Sequence, residues 1–432
     1  MVLDRLDPEF LARAYEAYAE MRAQGPVVRA RHVPIFRDRG EEHDESATEP
    51  VVLATRELHF VTRYEAAAAA LADGRLSSDP QVLLTPDERA KLPPVPEEQR
   101  PIAHSLLMRD PPDHTRLRKL VQPSFSPRAL EALTPRIQQL ADDLLDKAEQ
   151  AAAARGEGAP DRRMELIEAF AHPLPVAVIS EMLGIPPEDR EEVESWALLR
   201  DASGRDPESL ARARAMVRSF TRYLDRLFER RRRDPADDMV SRMVHAHEDG
   251  DVLSTEELHS MVFLLYFAGH VTTVNLIGNG VVALLTHPGE LARFQADPGL
   301  AKGVVEETLR YWGPVDYPGI VRTATEDMEL CGTSIPKGTQ VEIGLGSANR
   351  DPARFACPDR FDITRPDAHR HIAFGRGIHL CIGAPLARIE GQIAFETLVR
   401  RYPDLRLAVP AESLRWDGAT GLRGFQEVPV LF

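Results

Sequence analysis

Between residues 113 and 283 apolar residues recur at three- and four-residue spacing, the period of helices that bury one face. The rhythm breaks at GEGAP (156–160), GIPPED (184–189) and RDPADD (233–238), where Gly, Pro and Asp end helices, so this stretch is predicted to be a helical body. From 316 to 345 it gives way to short runs bounded by Gly and Pro, MELCGTSIPKGTQVEIG among them, which predict strands. Upstream, 51–54 and 57–62 predict a strand hairpin, and the alanine-rich run 65–72 begins a helix. After residue 381 helical spacing resumes to 401, and short strands are expected near Leu405 and Val428. The acidic stretch 40–50 reads as an exposed loop, and the Pro-rich stretch 79–101 as an irregular segment able to cap a site. No internal repeat is found.

Composition adds bounds to this picture. Of 432 residues, 43% are hydrophobic and 28% charged, as expected for a globular chain that buries a sizeable core. The expectation is one mainly α domain over 1–432 with a small β region (α+β). Its β-rich portions are 51–62, 316–345 and 405–432, and its helical portions 113–315 and 381–401. A net charge of −15 argues against nucleic acid and anionic membranes as partners. Cys331, Cys357 and Cys381 are too few for a disulfide framework and include no CxxC pair, which fits a reducing cytoplasm. The N-terminal segment lacks the apolar core of a signal peptide or anchor. The apolar stretch from Met261 is interrupted by His270, Thr272, Asn275 and Asn279, and is expected to be a buried helix rather than a membrane span of ~20 residues. The run Arg230 to Arg233 closes a predicted helix, where positive charge favours the carbonyl end, and reads as a solvated face.

The chemistry concentrates in FGRGIHLCIG, residues 374–383. Gly375, Gly377 and Gly383 strip side chains from around Cys381, so backbone can approach a large planar ligand and adopt dihedrals other residues resist. Cys381 also precedes a helix beginning near Ala384, whose amides and dipole are expected to lower its thiol pKa. The loop resembles the haem-binding loop of the cytochrome P450 family, FGxGxHxCxG, matched at Phe374, Gly375, Gly377, His379, Cys381 and Gly383. The resemblance implies a haem b cofactor with Cys381 as axial iron ligand, Phe374 beside the sulfur and His379 at a propionate. It implies the family's triangular prism of helices, with haem between the long central helix and the cysteine-bearing loop.

Further motifs fall in family order. Glu307 and Arg310 in VVEETLRYW are three apart on one helix face and can pair; the resemblance makes them the ExxR motif, with Arg365 in RFDITRP as third member of a structural network. His114 and Arg118 lie four apart after an Asp-Pro-Pro turn, so both can point at one anion. By resemblance that anion is a haem propionate, with Arg322 as a further partner. ISEMLGIPPEDR (179–190), ANRDPARF (348–355) and LARIE (386–390) also match, so the likeness covers nearly the whole chain.

FAGHVTTV (267–274) resembles the family's helix over the distal haem face, with Ala268, Gly269 and Thr272 matching. On their own, Gly269 reads more readily as a helix-packing glycine and Thr272 as a threonine bonding its own backbone; the cysteine loop turns the reading toward the distal haem face. Val271 stands where the family usually carries an acid that relays protons to the bound dioxygen, and valine cannot relay them. Thr272 can still hydrogen-bond oxygen or water, leaving solvent, His270 or a polar substrate group as the proton source. The resemblance implies a soluble bacterial-type monooxygenase that inserts one atom of O2 into a small or medium apolar substrate such as a secondary metabolite, terpenoid, macrolide or lipid. It would be a monomer fed from NAD(P)H through a reductase and a ferredoxin or flavodoxin, docked on Arg116, Lys119, Arg376 and Arg388. The pocket would be walled by 80–107, 199–205, Phe267 and Ala268, 315–319 and 418–424. The rivals are a peroxide-using or otherwise atypical haem-thiolate oxidase, a haem sensor without turnover, and a zinc site on His379 and Cys381, which lacks enough ligands.

Overall fold

The computed structural model describes residues 2–4, 7–32, 56–158, 161–197, 207–246, 253–318, 320–417 and 422–432; the expected strand 51–54, the loop 40–50 and the pocket wall 199–205 lie outside them. The helices that build the body are α1 (Pro8–Gln24), α2 (Tyr64–Ala72), α3 (Asp113–Val121), α4 (Pro127–Ala154), α5 (Pro173–Leu183), α6 (Pro207–Arg233), α7 (Thr255–Thr286), α8 (Ala301–Tyr311) and α9 (Ala384–Arg401). α4, α5 and α6 end at the three predicted breaks. α1 was not legible in the pattern; Asp7 caps it by accepting a hydrogen bond from the Glu9 N–H at 3.0 Å.

The GIPPED break has a specific physical cause. Gly184 closes α5 in the left-handed region at φ 81°, and a Cβ there would sit 2.1 Å from Asp238 Oδ2. Arg231, at the end of α6, pairs with Asp238 at 2.6 Å and donates to the Gly184 carbonyl at 2.7 Å. Arg230 pairs with Asp189 at 3.3 Å. The arginine run is therefore not simply a solvated face, because half of it pins the ends of α5 and α6 together.

Thirteen strands occur among the described residues: β1 (Val2–Leu3), β2 (Val27–His32), β3 (Arg56–Val61), β4 (Leu76–Ser77), β5 (Arg163–Glu165), β6 (Arg322–Ala324), β7 (Met328–Leu330), β8 (Thr333–Ile335), β9 (Gln340–Ile343), β10 (Arg406–Leu407), β11 (Trp416–Asp417), β12 (Gly424–Phe425) and β13 (Pro429–Leu431). The largest sheet has the order β1-β2-β3-β9-β6-β4. The partner of β3 is β2, antiparallel with Val27 opposite Val61, and β9 runs parallel on its other side with His59 opposite Val341. A second sheet, β10-β13-β5, inserts a strand into the region expected to be wholly helical. The 79–101 stretch is mostly irregular, as expected, apart from short helical turns at Pro86–Ala90, Glu97–Gln99 and Arg100–Ala103.

α7 organises the core. Ser254 and Glu257 form a reciprocal capping box at its start. Its length and composition would let it cross a membrane, yet 56% of its most apolar window is buried among the other helices, as befits the central helix of a large core. It packs against α5, α8 and α9. On α9, Glu390 is 1% exposed and its Oε2 finds no hydrogen-bond partner. Burial pushes its pKa from 4.5 up to about 8. Between these values the folded state keeps a proton that the unfolded chain has released, so this group's contribution to stability is best below 4.5 and falls as pH rises to 8. Glu390→Gln is expected to raise the thermal midpoint at pH 8 and leave it nearly unchanged at pH 4.5; parallel midpoint-against-pH curves for the two proteins would contradict this.

Candidate active site

The cysteine loop is shaped by two left-handed glycines, Gly375 at φ 72° and Gly377 at φ 74°. At Gly377 a Cβ would come within 2.6 Å of the Leu71 carbonyl, so this glycine serves close packing of the loop on α2. Around the turn, the Cys381 N–H donates to the Phe374 carbonyl at 2.9 Å. Arg118 of α3 donates to the carbonyls of Ile378 at 3.1 Å and Leu380 at 2.7 Å, tying the loop to the helical body. Behind it, Glu306 of α8 holds Arg388 at 2.5 Å and His371 at 3.1 Å. Burial pulls the Glu306 pKa upward, but these two partners outweigh it and hold it at about 2. The Arg388 guanidinium in turn lies 4.7 Å from the centre of the Phe374 ring.

Cys381 is exposed, at the foot of α9. Crowding by the surrounding protein pushes its thiol pKa up, against the N–H groups of Gly383 and Ala384 and the charges of Arg118 and Arg388, which pull it down. The expected lowering is thus reversed: the helix-terminal amides do act on the sulfur, but desolvation exceeds them. Cys331 and Cys357 are also exposed, each at positive φ (50° and 46°), Cys331 in the turn between β7 and β8.

Beside the loop, four of the predicted residues converge. His114 and His379 meet with ring centroids 4.4 Å apart. His379 Nε2 is 3.1 Å from Ser78 Oγ, and Arg322 donates to the same hydroxyl. Asp110 accepts from Ser77 Oγ and, at 3.1 Å, from the Ser78 N–H. Burial, reinforced by Arg322 and His114, drives the His379 pKa down to about 3, and burial with Arg118 lowers that of His114. His114 Nε2 and His379 Nδ1 are both buried without a hydrogen-bond partner. Two arginines and two imidazole nitrogens awaiting a partner make a pocket suited to carboxylates, which would satisfy the orphaned atoms. Ser77, Ser78 and Asp110 were missed by the sequence reading because nothing in DPPDHTRLRKLV or RLSSDP marks them as neighbours.

Glu307, Arg310 and Arg365 also come together. Arg310 donates from Nε to Glu307 Oε2 at 2.7 Å and from Nη2 to Oε1 at 2.8 Å, while Arg365 Nε reaches Glu307 Oε1 at 3.2 Å. Their side chains are 0%, 0% and 7% exposed for Glu307, Arg310 and Arg365.

On α7, Ala268 is exposed and Val271 and Thr272 are partly so, in the middle of a helix whose other side packs into the core; that accessible stripe is the side on which a substrate cleft would lie. Thr272 Oγ1 donates to the Ala268 carbonyl at 2.8 Å, and Thr273 Oγ1 to that of Gly269 at 3.2 Å. A Cβ on Gly269 would meet Ile179 of α5 at 3.2 Å, so this glycine serves helix packing. His270 is not on the stripe. It is 1% exposed, donates from Nδ1 to the Tyr266 carbonyl at 2.6 Å and packs edge-on to His172, and burial drives its pKa down to about 3. A neutral imidazole turned into the core is no proton source for the cleft. The four-cation docking patch is reduced likewise: Arg116 pairs with Glu257 and Arg388 with Glu306, leaving Lys119 and Arg376 exposed, the latter in the same loop as Ile378 and Leu380, each 46% exposed.

The sequence model of the cytochrome P450 family matches residues 299–406. Cytochrome P450 107B1 of Saccharopolyspora erythraea is 44% identical over 380 residues, 86% of this chain and 88% of that protein. The chain belongs to the cytochrome P450 family. As a member it is a monooxygenase that binds haem through a cysteine thiolate. Among solved structures, the Bacillus subtilis cytochrome P450 PksS of the bacillaene polyketide synthase superposes with a TM-score of 0.83 at 36% identity, covering 99% of this chain and 98% of its own. P450BioI, solved with an acyl carrier protein ligated to hexadec-9Z-enoic acid, gives a TM-score of 0.81 at 35% identity over 98% of this chain and 99% of its own. The expected mostly helical fold with small sheets is therefore the one found.

Proposed function

We propose that this P450 holds its haem on Cys381, seats the propionates among His114, Arg118, Arg322 and His379, and oxidises a polyketide-like or fatty-acyl substrate in the α7 cleft. The observation that carries the assignment is the cluster beside the cysteine loop, where two orphaned imidazole nitrogens meet Arg322 and where Arg118 binds the loop that places Cys381 just before the start of α9. When bound, the haem supplies the activation of O2 and the transfer of one oxygen atom to substrate. Phe374 and the Glu306–Arg388–His371 group fix the loop; Glu307, Arg310 and Arg365 brace the structure behind it; Ala268 and Gly269 line and pack the cleft helix. Electrons come from NAD(P)H through a reductase and a ferredoxin or flavodoxin seated on Lys119 and Arg376, in a monomeric cytoplasmic enzyme. The substrate class is supported by the likeness to PksS and P450BioI. Turnover of a panel of macrolactones and long-chain acyl compounds with a ferredoxin and its reductase tests it, and no oxidised product from either group would defeat the substrate assignment.

Val271 leaves the cleft stripe without an acid, and His270 does not replace it, so protons come from solvent or from a polar substrate group, held by the Thr272 hydroxyl. Thr272→Ala should increase peroxide released per electron pair, and Val271→Glu should increase product per electron pair. Unchanged peroxide in the first would remove Thr272 from proton handling, and unchanged or poorer coupling in the second would count against the missing relay.

A second reading of how substrate arrives is favoured by P450BioI, which was solved with its acyl chain on a carrier protein: the substrate of this chain is delivered as an acyl group on a carrier protein.

A further inference from the structure

The cleft and the cysteine loop do not account for the charge on α6. Arg214, Arg218, Arg222 and Arg226 stand at successive four-residue steps, which stacks them along one helix face at a rise of about 6 Å per step. Like charges at this spacing oppose the helix that carries them. In a chain of net charge −15 carboxylates are plentiful, yet among the described residues Arg218 and Arg222 form no ion pair, and Arg222 reaches only the Arg218 carbonyl at 3.3 Å. The outer two have long contacts, Arg214 to Glu98 at 3.8 Å and Arg226 to Glu192 at 3.5 Å. The acids on the same face are engaged elsewhere, Asp225 with His259 at 2.9 Å and Glu229 with Arg232 at 2.7 Å. The opposite face is sealed in the core by Phe220, Leu224, Leu227 and Phe228.

We infer that this arginine ridge is the docking face for a small acidic carrier protein bearing the acyl substrate, an inference that rests on the carrier-delivery reading and names its surface. Guanidinium forks match carboxylates in pairs, which suits an acidic protein helix laid along α6. A membrane is the wrong partner, because helices that lie on bilayers insert an apolar face, and no large apolar side chain is exposed on α6 among the described residues. The ridge also adjoins the turn Glu97–Gln99, in the segment expected to cover the cleft. A carrier seated there stands beside the cleft cover, on different elements from the cysteine loop used by the electron donor.

The test compares wild type with the double variant Arg218→Glu, Arg222→Glu, measuring binding of a fluorescent acyl carrier protein loaded with a long-chain acyl group, and of phosphatidylglycerol vesicles. Wild type should bind the loaded carrier at low salt and lose it as salt rises, and the double variant should bind at least about tenfold more weakly. The variant should fold with an unlowered thermal midpoint, since each new glutamate faces an arginine four residues away. If wild type ignores the loaded carrier, the delivery reading fails and the inference with it. If wild type binds and the double variant binds equally well, delivery stands and the ridge is not its face. Vesicle binding that disappears in the double variant would reassign the ridge to membranes and overturn the inference.

Discussion

Arg310→Leu is expected to lose about 3 to 5 kcal/mol of folding stability, because it strands a buried carboxylate and several buried carbonyls at once. Besides its two bonds to Glu307, the guanidinium donates to the carbonyls of Asn349 at 3.1 Å, Pro358 at 2.7 Å and Arg360 at 3.1 Å. Glu307 is satisfied in turn by Arg310, Arg365 and the Asp362 N–H at 2.9 Å. With Arg310 gone, Arg365 is the one cation left on a carboxylate that is wholly out of solvent. A typical domain is stable by only about 5 to 15 kcal/mol, so the variant should fold poorly and recover little haem. Arg310→Lys should fare little better, since one ammonium cannot span a carboxylate and three carbonyls in fixed directions. Urea unfolding of both variants measures this. A lysine variant within about 1 kcal/mol of wild type would show that charge alone, not the planar fork, holds the segment.

That network shows what the sequence discloses and what it hides. Glu307 and Arg310 were legible because i, i+3 spacing on a helix places them together whatever the rest of the chain does. The cysteine loop was legible for the same local reason: glycines at 375 and 377 report positive φ, and the helix start at Ala384 follows from spacing. The helix ends at Ala154, Leu183 and Arg233 were marked by Gly and Pro. What failed was settled across the chain. β5 exists because Met164 pairs with Val430, a register that three-residue strands cannot announce. α1 was passed over because alternating charges obscure its apolar face. Arg116 and Arg388 read as free cations until folding brought Glu257 and Glu306 to them. His270 was a candidate proton source by position in its motif, but a helix turns by 100° per residue, and that rotation sends it into the core while Val271 and Thr272 stay partly exposed. Gly269 matched the motif of the helix over the distal haem face, and a Cβ at this position would meet Ile179 of α5.

Cys381→Ser separates the fold of this enzyme from its chemistry more sharply than any other single change. The side chain is exposed, and the loop is held by bonds that do not involve sulfur: the Cys381 N–H to Phe374, and Arg118 to the carbonyls of Ile378 and Leu380. The apoprotein of the variant should therefore unfold at nearly the same denaturant concentration as wild-type apoprotein. The hydroxyl, however, is a harder and far less acidic ligand than the thiol it replaces. The variant should lose the thiolate-haem absorption signature, and its turnover should fall by more than the ~10- to 100-fold typical of losing an outer-shell partner of a metal ligand. Cys331→Ser and Cys357→Ser serve as controls, since those cysteines sit in exposed turns, and should leave both spectrum and turnover unchanged. Retention of the thiolate signature by Cys381→Ser would move the ligand to another cysteine. A wild-type protein with no affinity for haem would mean that the pocket between Arg118 and Arg322 is built for some other carboxylate.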